Sequence, residues 1–261
     1  MKKSTIQLTM FSLISFTIFN IFGCKDDDIT PSNPGSTDTA FVATVTFPSL
    51  DSVTITADHY HTNNANPVIV LCHQAGWSRG EYLDIAPELN DMGYNVLAID
   101  QRSGQTINGI ENQTAKSATT LGKPRRFIDA KPDLEAAINW AKDKYNRNVI
   151  LWGSSYSACL ALMIAAERDD IDKVLAFSPG EYLPGISVQG NISGIKAPVF
   201  LTSSKQERIQ VEKLFDAISN SEYKKQFVPK WGDGQHGSRN LWPSVPDQEE
   251  YWTAVKVFLN D

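Results

Sequence analysis

The sequence predicts an α/β fold: a mostly parallel central sheet with helices on both faces, led by an N-terminal antiparallel hairpin. Three observations predict it. Continuous apolar runs at 67–72 and 94–99 have the make-up of strands buried on both faces. Segments of helical spacing at 79–92 and 129–145 alternate with them. The chain has 261 residues with 41% apolar content, and about 230 residues beyond the leader suit one domain with a real core.

The elements follow in order. Residues 41–47 and 53–60 alternate in polarity and are separated by Pro48-Ser49-Leu50-Asp51-Ser52, which predicts a hairpin. The strand at 67–72, the helix at 79–92 and the strand at 94–99 come next. Residues 101–124 are polar and contain glycine without a clear period, so they read as a long surface loop. The helix at 129–145 points Ile138, Trp140 and Ala141 inward. A strand at 172–177, an irregular loop at 178–196, a strand at 197–203, a helix at 209–219, a strand at 223–228 and a helix at 248–259 complete the series. No internal repeat is present. No insertion is long enough for a separate cap domain.

Residues 148–163 carry the most information. They begin as a strand-type apolar run, Asn148-Val149-Ile150-Leu151-Trp152, and end as a helix-type run of small and aliphatic residues. Between them stands Gly153-Ser154-Ser155-Tyr156-Ser157. Small residues two before and two after Ser155 permit a sharp turn with the hydroxyl at its tip, at the positive end of the helix. The register puts Ser155 at the tip and Ser154 on the flank. Taken alone, the stretch also fits a serine-rich turn that caps a helix.

This stretch resembles the nucleophile elbow of the α/β-hydrolase superfamily, with Ser157 in place of the second glycine. The resemblance covers residues 41–261. It is closest to small serine esterases without a cap and to dienelactone-hydrolase-like members, although the latter typically use cysteine where this chain has Ser155. It directs attention to loops beyond the carboxyl ends of the strands.

Cys72-His73-Gln74-Ala75-Gly76-Trp77 stands where the family often has His-Gly and supplies an oxyanion donor. Here Gln74 replaces the glycine. The N–H groups of Ala75 and Tyr156 are the implied donors, and His73 reads as a residue that holds the loop. Ser204-x-x-Glu207 occupies the place of the family's acid. Glu181, in Ser178-Pro179-Gly180-Glu181-Tyr182, is the alternative. Glu207 also fits the start of a helix, where acids are favoured. His236, in Gly232-Asp233-Gly234-Gln235-His236-Gly237-Ser238, completes the order Ser155, Glu207, His236 that the family shows. Trp77, Tyr182, Trp231 and Trp242 are pocket candidates, and Arg102 reads as a loop-pinning residue.

The resemblance implies a serine hydrolase that cleaves carboxylic esters through an acyl-enzyme, acting on a small-molecule ester. The alternatives are a serine peptidase of the same fold and a non-catalytic surface binding lipoprotein. No P-loop, dinucleotide fingerprint or metal-ligand spacing appears, so no cofactor and no metal is expected. The net charge of −6, without a basic run, excludes a nucleic-acid partner. Oligomeric state is not readable.

The N-terminus has the layout of a secretory signal: Met1-Lys2-Lys3, an apolar stretch over 6–22, then Gly23-Cys24. It resembles a bacterial lipoprotein signal, with residues 1–23 removed and Cys24 lipidated. Residues 24–40, rich in Asp, Pro, Ser, Thr and Gly, then form a disordered tether, and 41–261 form the hydrolase domain. The acid run Lys25-Asp26-Asp27-Asp28 resembles export signals of surface lipoproteins in some Gram-negative bacteria; a hydrated spacer is the other reading. The implied location is the outer membrane of a Gram-negative bacterium, facing the periplasm or the outside. Cys72 and Cys159 read as buried small residues, either as free thiols or, since an extracytoplasmic location permits it, joined in a disulfide.

Overall fold

A computed structural model describes residues 38–221 and 223–261. The leader, Cys24 and the tether through residue 37 lie outside the described residues. The compact unit spans Asp38–Asp261. Asp38 is tied to the end of the second strand and the turn after it: its carboxylate accepts from Asn64 N at 2.5 Å and lies 2.8 Å from His61 Nε2.

The main elements are β1 (Phe41–Pro48), β2 (Thr54–His61), β3 (Val68–Cys72), α1 (Ile85–Asp91), β4 (Asn95–Ile99), β5 (Thr106–Ile107), β6 (Ile110–Glu111) and α2 (Gln113–Thr120). They continue with α3 (Lys131–Tyr145), β7 (Val149–Ser154), α4 (Tyr156–Glu167), β8 (Ile171–Phe177), β9 (Val199–Thr202), α5 (Arg208–Ala217), β10 (Lys224–Phe227) and α6 (Gln248–Asn260). Eight strands form one sheet in the order β1-β2-β4-β3-β7-β8-β9-β10. The β1–β2 and β2–β4 pairs are antiparallel and all others are parallel. This is the expected α/β-hydrolase architecture with its N-terminal hairpin. No separate cap is present among the described residues.

Alternation within β3 explains the layers. Val68, Val70 and Cys72 join a core with α3, α4 and α5, whereas Ile69 and Leu71 join a core with α1 and α6. Both faces are covered, so every residue of the strand is buried. Helix α4 is buried from Tyr156 to Ala165, which is why it shows no polar stripe.

Two expectations are corrected. The helix at 79–92 is a 3-10 turn at Arg79–Tyr82 followed by α1. Pro87 lacks an N–H and fits only the first turn of a helix, so the α-helix starts at Ile85. Residues 101–124 are not one irregular loop. They contain the β5–β6 hairpin, turned by Asn108 and Gly109 with φ of 51° and 76°, and α2, capped by Asn112 Oδ1 accepting from Ala115 N at 2.7 Å.

Candidate active site

The carboxyl ends of β3, β7, β8 and β9 converge on Ser155. The backbone there has φ 61° and ψ −122°, a conformation that costs a non-glycine residue on the order of 1–3 kcal/mol and concentrates at functional sites. The turn is held from both sides. Ser155 N donates to Phe177 O at 2.8 Å, and Ala158 N donates to Ser155 O at 3.0 Å. A Cβ on Gly153 would lie 2.5 Å from the backbone of Ala158, so only glycine lets α4 pass this close. Ser157 does more than stay small. Its hydroxyl lies 2.7 Å from Cys72 O and accepts from Ser154 N at 2.9 Å, tying the elbow to the end of β3.

His236 Nδ1 is hydrogen-bonded to Glu207 Oε1. Glu207 Oε2 accepts from Ser178 Oγ at 2.8 Å and from Ser204 Oγ at 2.9 Å. Burial works to raise the Glu207 carboxyl, but the hydrogen bonds and charge of His236, with the hydroxyls of Ser178 and Ser204, hold it below the ordinary glutamate value. Glu181 is placed elsewhere: its two oxygens accept from Val188 N and Gln189 N at 2.7 and 2.8 Å, and order its own loop. Asn240 braces the histidine loop, accepting from Gln235 N at 2.5 Å and donating to Gly237 O at 3.0 Å. Gly237 N donates to Ser178 Oγ and Ser238 N to Ser154 Oγ, both at 2.9 Å. The histidine loop is therefore sewn to the elbow. Ser155 Oγ and His236 are not hydrogen-bonded to each other among the described residues; this contact commonly tightens only when substrate is bound.

The loop after β3 is organised by His73. Its Nδ1 bonds Gln74 O at 2.7 Å and its Nε2 accepts from Gln101 N at 2.9 Å, which fixes the tautomer as Nδ1–H. Burial lowers its pKa to about 4, so the ring stays neutral in a holding role. The N–H groups of Ala75 and Tyr156 find no backbone acceptor among the described residues. Gln74 Nε2 is buried and unpaired. Arg102 is the expected pin: it is buried and paired with Asp51 and Asp133 at 2.7 and 2.6 Å.

Of the aromatic candidates, Tyr182 meets the His236 ring edge-to-face with centroids 6.2 Å apart. Trp77 and Trp242 stack on each other at 5.3 Å, and Trp242 Nε1 donates to Glu81 O at 2.8 Å. Trp231 does not join them. It is 79% exposed, with Lys230 over its ring, because the turn after β10 carries it outward. Cys72 and Cys159 are buried free thiols. No His, Cys, Asp and Glu cluster suited to a metal occurs among the described residues.

The serine aminopeptidase S33 family model matches residues 63–228, a span that contains the elbow and Glu207. The chain belongs to the serine aminopeptidase S33 family. It is a hydrolase of the α/β-hydrolase fold. An esterase of Pyrococcus furiosus superposes on this hydrolase with a TM-score of 0.67 and 22% identity, covering 85% of this chain and 92% of its own. A dienelactone hydrolase of Anabaena variabilis gives 0.65 and 17%, covering 84% and 96%. An acylaminoacyl peptidase of Pyrococcus horikoshii gives 0.62 and 14%, covering 85% of this chain and 41% of its own. Identities this low establish shared fold alone. No curated protein sequence matches the chain.

A cleft of about 430 Å³ lies between the β5–β6 hairpin and α2 and includes none of the expected site residues. A smaller one of about 270 Å³, lined by Arg125, Arg126, Phe127, Ile128 and Pro184, adjoins the elbow, since Phe127 stacks on Tyr156 at 4.6 Å. The sequence reading assigned no part to Ser178 and Ser204, whose hydroxyls bond Glu207, or to Glu81, whose carboxylate accepts from Ser154 Oγ. Ser178 follows β8 directly with φ 51°, a conformation no sequence pattern announces in a serine.

Proposed function

We propose that this hydrolase cleaves carboxylic esters, with Ser155 as nucleophile, His236 as general base and acid, and Glu207 as the group that orients His236. The observation that carries the reading is the His236–Glu207 hydrogen bond on a loop sewn to a strained serine elbow. His236 Nε2 takes the Ser155 proton as Oγ attacks the ester carbonyl carbon. The tetrahedral oxyanion is met by the N–H groups of Ala75 and Tyr156, helped by the positive end of α4. His236 gives its proton to the leaving alkoxide, and an acyl-enzyme remains. Water, deprotonated by His236, then attacks the acyl carbon; the acid leaves and Ser155 regains its proton. Glu207 stays ionised throughout. Phe127, Ile128 and Pro184 beside Tyr156 suit an apolar substituent, and Tyr182 forms the wall next to His236. Trp77 and Trp242 border the oxyanion loop.

Fluorophosphonate labelling of the soluble domain tests the reading. A single adduct on Ser155, lost in His236→Ala, is expected. No adduct under conditions that label a control esterase overturns it in favour of a non-catalytic binding lipoprotein. The family description favours a second reading, a serine peptidase. Turnover of aminoacyl p-nitroanilides above that of p-nitrophenyl esters would select it.

The N-terminal segment adds location. Residues 1–23 act as a lipoprotein signal, and lipidated Cys24 anchors the hydrolase to the outer membrane of a Gram-negative cell. Incorporation of an alkyne fatty acid, abolished in Cys24→Ser, is the expected result.

A further inference from the structure

We propose that Glu81 is a positioning residue of this site, a buried carboxylate that sets the oxyanion loop, the serine elbow and the histidine loop against one another. The inference rests on the reading of Ser155, His236, Ala75 and Tyr156 given above.

Glu81 lies in the Arg79–Tyr82 turn and is fully buried. Its Oε2 accepts from Gln74 N at 2.7 Å, and its Oε1 accepts from Ser154 Oγ at 2.7 Å. Ser154 Oγ in turn accepts from Ser238 N at 2.9 Å. Gln74 immediately precedes Ala75, Ser154 immediately precedes Ser155, and Ser238 follows His236 by two residues. One carboxylate thus reaches the backbone beside all three working parts within two hydrogen bonds.

The arrangement fixes polarity as well as distance. With Glu81 as acceptor, the single Ser154 proton points to Oε1, which leaves a lone pair for the Ser238 N–H. The seam leaves no slack: a Cβ on Gly237 would lie 2.5 Å from Ser154 Oγ. Trp242, bonded to Glu81 O and stacked on Trp77, covers the turn. Burial raises the Glu81 carboxyl to about 7, against the pull of its hydrogen bonds from Ser154 and Gln74, of the nearby Ser238 N–H and of the charge of His236. A carboxylate kept in so costly a place, with every near partner on a working loop, fits a positioning role.

The test is Glu81→Gln, with Ser154→Ala as a second variant in case the first fails to fold. Gln keeps the shape and one acceptor but loses the second. The oxyanion donors act on the tetrahedral state more than on bound ester. We therefore expect kcat to fall by about 10–100-fold while KM stays within about twofold, a size typical of a small displacement of catalytic groups. Affinity for a trifluoromethyl ketone, whose adduct carries the oxyanion, should fall in parallel with kcat. The double variant should lose no more than the worse single one, because both break the same connection. Unchanged kcat and unchanged ketone affinity in both variants, in a hydrolase whose Ser155 still takes the fluorophosphonate, would overturn the role of Glu81 and leave the ester-hydrolase reading standing. Absence of the Ser155 adduct in the unmodified hydrolase would overturn both.

Discussion

His236 and Glu207 share one hydrogen bond, from Nδ1 to Oε1, and the opposite Glu207 oxygen is occupied by Ser178 and Ser204. The carboxylate therefore cannot rotate away from the ring without giving up two hydroxyl donors. Glu207→Gln would present an amide N–H to Nδ1 and select the wrong tautomer. We expect kcat to fall roughly 10⁴-fold, the loss seen when a triad acid becomes its amide. Glu181→Gln should leave kcat unchanged and lower stability by about 1 kcal/mol, because it weakens acceptors for Val188 and Gln189 N–H groups. Steady-state kinetics and denaturant melts of the two variants distinguish the acids.

Glu81 gives a dependence of stability on pH whose sign is fixed. Burial raises its folded-state pKa from 4.5 to about 7, so between these values the folded chain binds more protons than the unfolded one. The stability associated with its protonated form is fully present below 4.5 and is lost as pH rises to about 7. Thermal midpoints of the wild-type hydrolase minus those of Glu81→Gln should decline across that window. Glu207 acts in the opposite sense: its folded pKa is depressed, so its contribution is present above the ordinary glutamate value and is lost as pH falls below it. A flat difference curve for Glu81 from pH 4.5 to 7 would contradict its assigned burial.

Much of the architecture was legible because the relevant signals are local. The β3 run Val68-Ile69-Val70-Leu71-Cys72 is apolar at every position, and only a strand covered on both faces needs that. Gly153 and Ser157 frame the elbow by size alone. The region after Asp100 was misread because α2 buries only Thr114, Ala115 and Ala118, too few apolar groups for a periodic signal. Its usable signals were punctuation: the Asn108-Gly109 turn and the Asn112 cap. Glu81 was hidden for another reason. Within a segment of helical spacing it reads as an exposed acid, and its burial arises only when the elbow and histidine loops pack over it. Glu207 and Glu181 likewise differ only through tertiary packing: both follow strands and both loops reach His236, but only the Glu207 carboxylate bonds its ring, whereas Tyr182 meets the ring and Glu181 turns back to Val188 and Gln189 N–H.

Arg102 is 1% exposed and bridges Asp133, which is fully buried, and Asp51. Arg102→Met would strand the Asp133 carboxylate in the core, a change that typically costs about 3–5 kcal/mol. We expect the thermal midpoint to drop by roughly 10 °C, at about 2–4 °C per kcal/mol for a domain of this size. Asp133→Leu in the same chain should restore much of the loss, since the two apolar side chains can pack where the ion pair stood. If the single variant melts with the wild type, the pair is not the pin of the loop after β4.

Gly153 and Ser157 frame the same turn but should respond differently to substitution. Gly153→Ala places a Cβ 2.5 Å from the Ala158 backbone and Ser157 O, so either β7 or α4 must shift and Ser155 moves with it. Displacement by about 1 Å is enough to cost roughly 10²-fold in turnover, and overpacking costs about 1–3 kcal/mol in stability. Ser157→Gly restores the family's usual small residue and asks nothing of the backbone. It removes the hydroxyl that joins Cys72 O to Ser154 N, a loss of about 1–2 kcal/mol, and the elbow geometry persists. Melts and kcat of the two variants should therefore separate: Gly153→Ala loses activity beyond its loss of stability, whereas Ser157→Gly loses stability with turnover preserved within a few-fold. Equal activity losses in both would mean that the Ser157 hydroxyl, rather than the space at Gly153, controls where Ser155 stands.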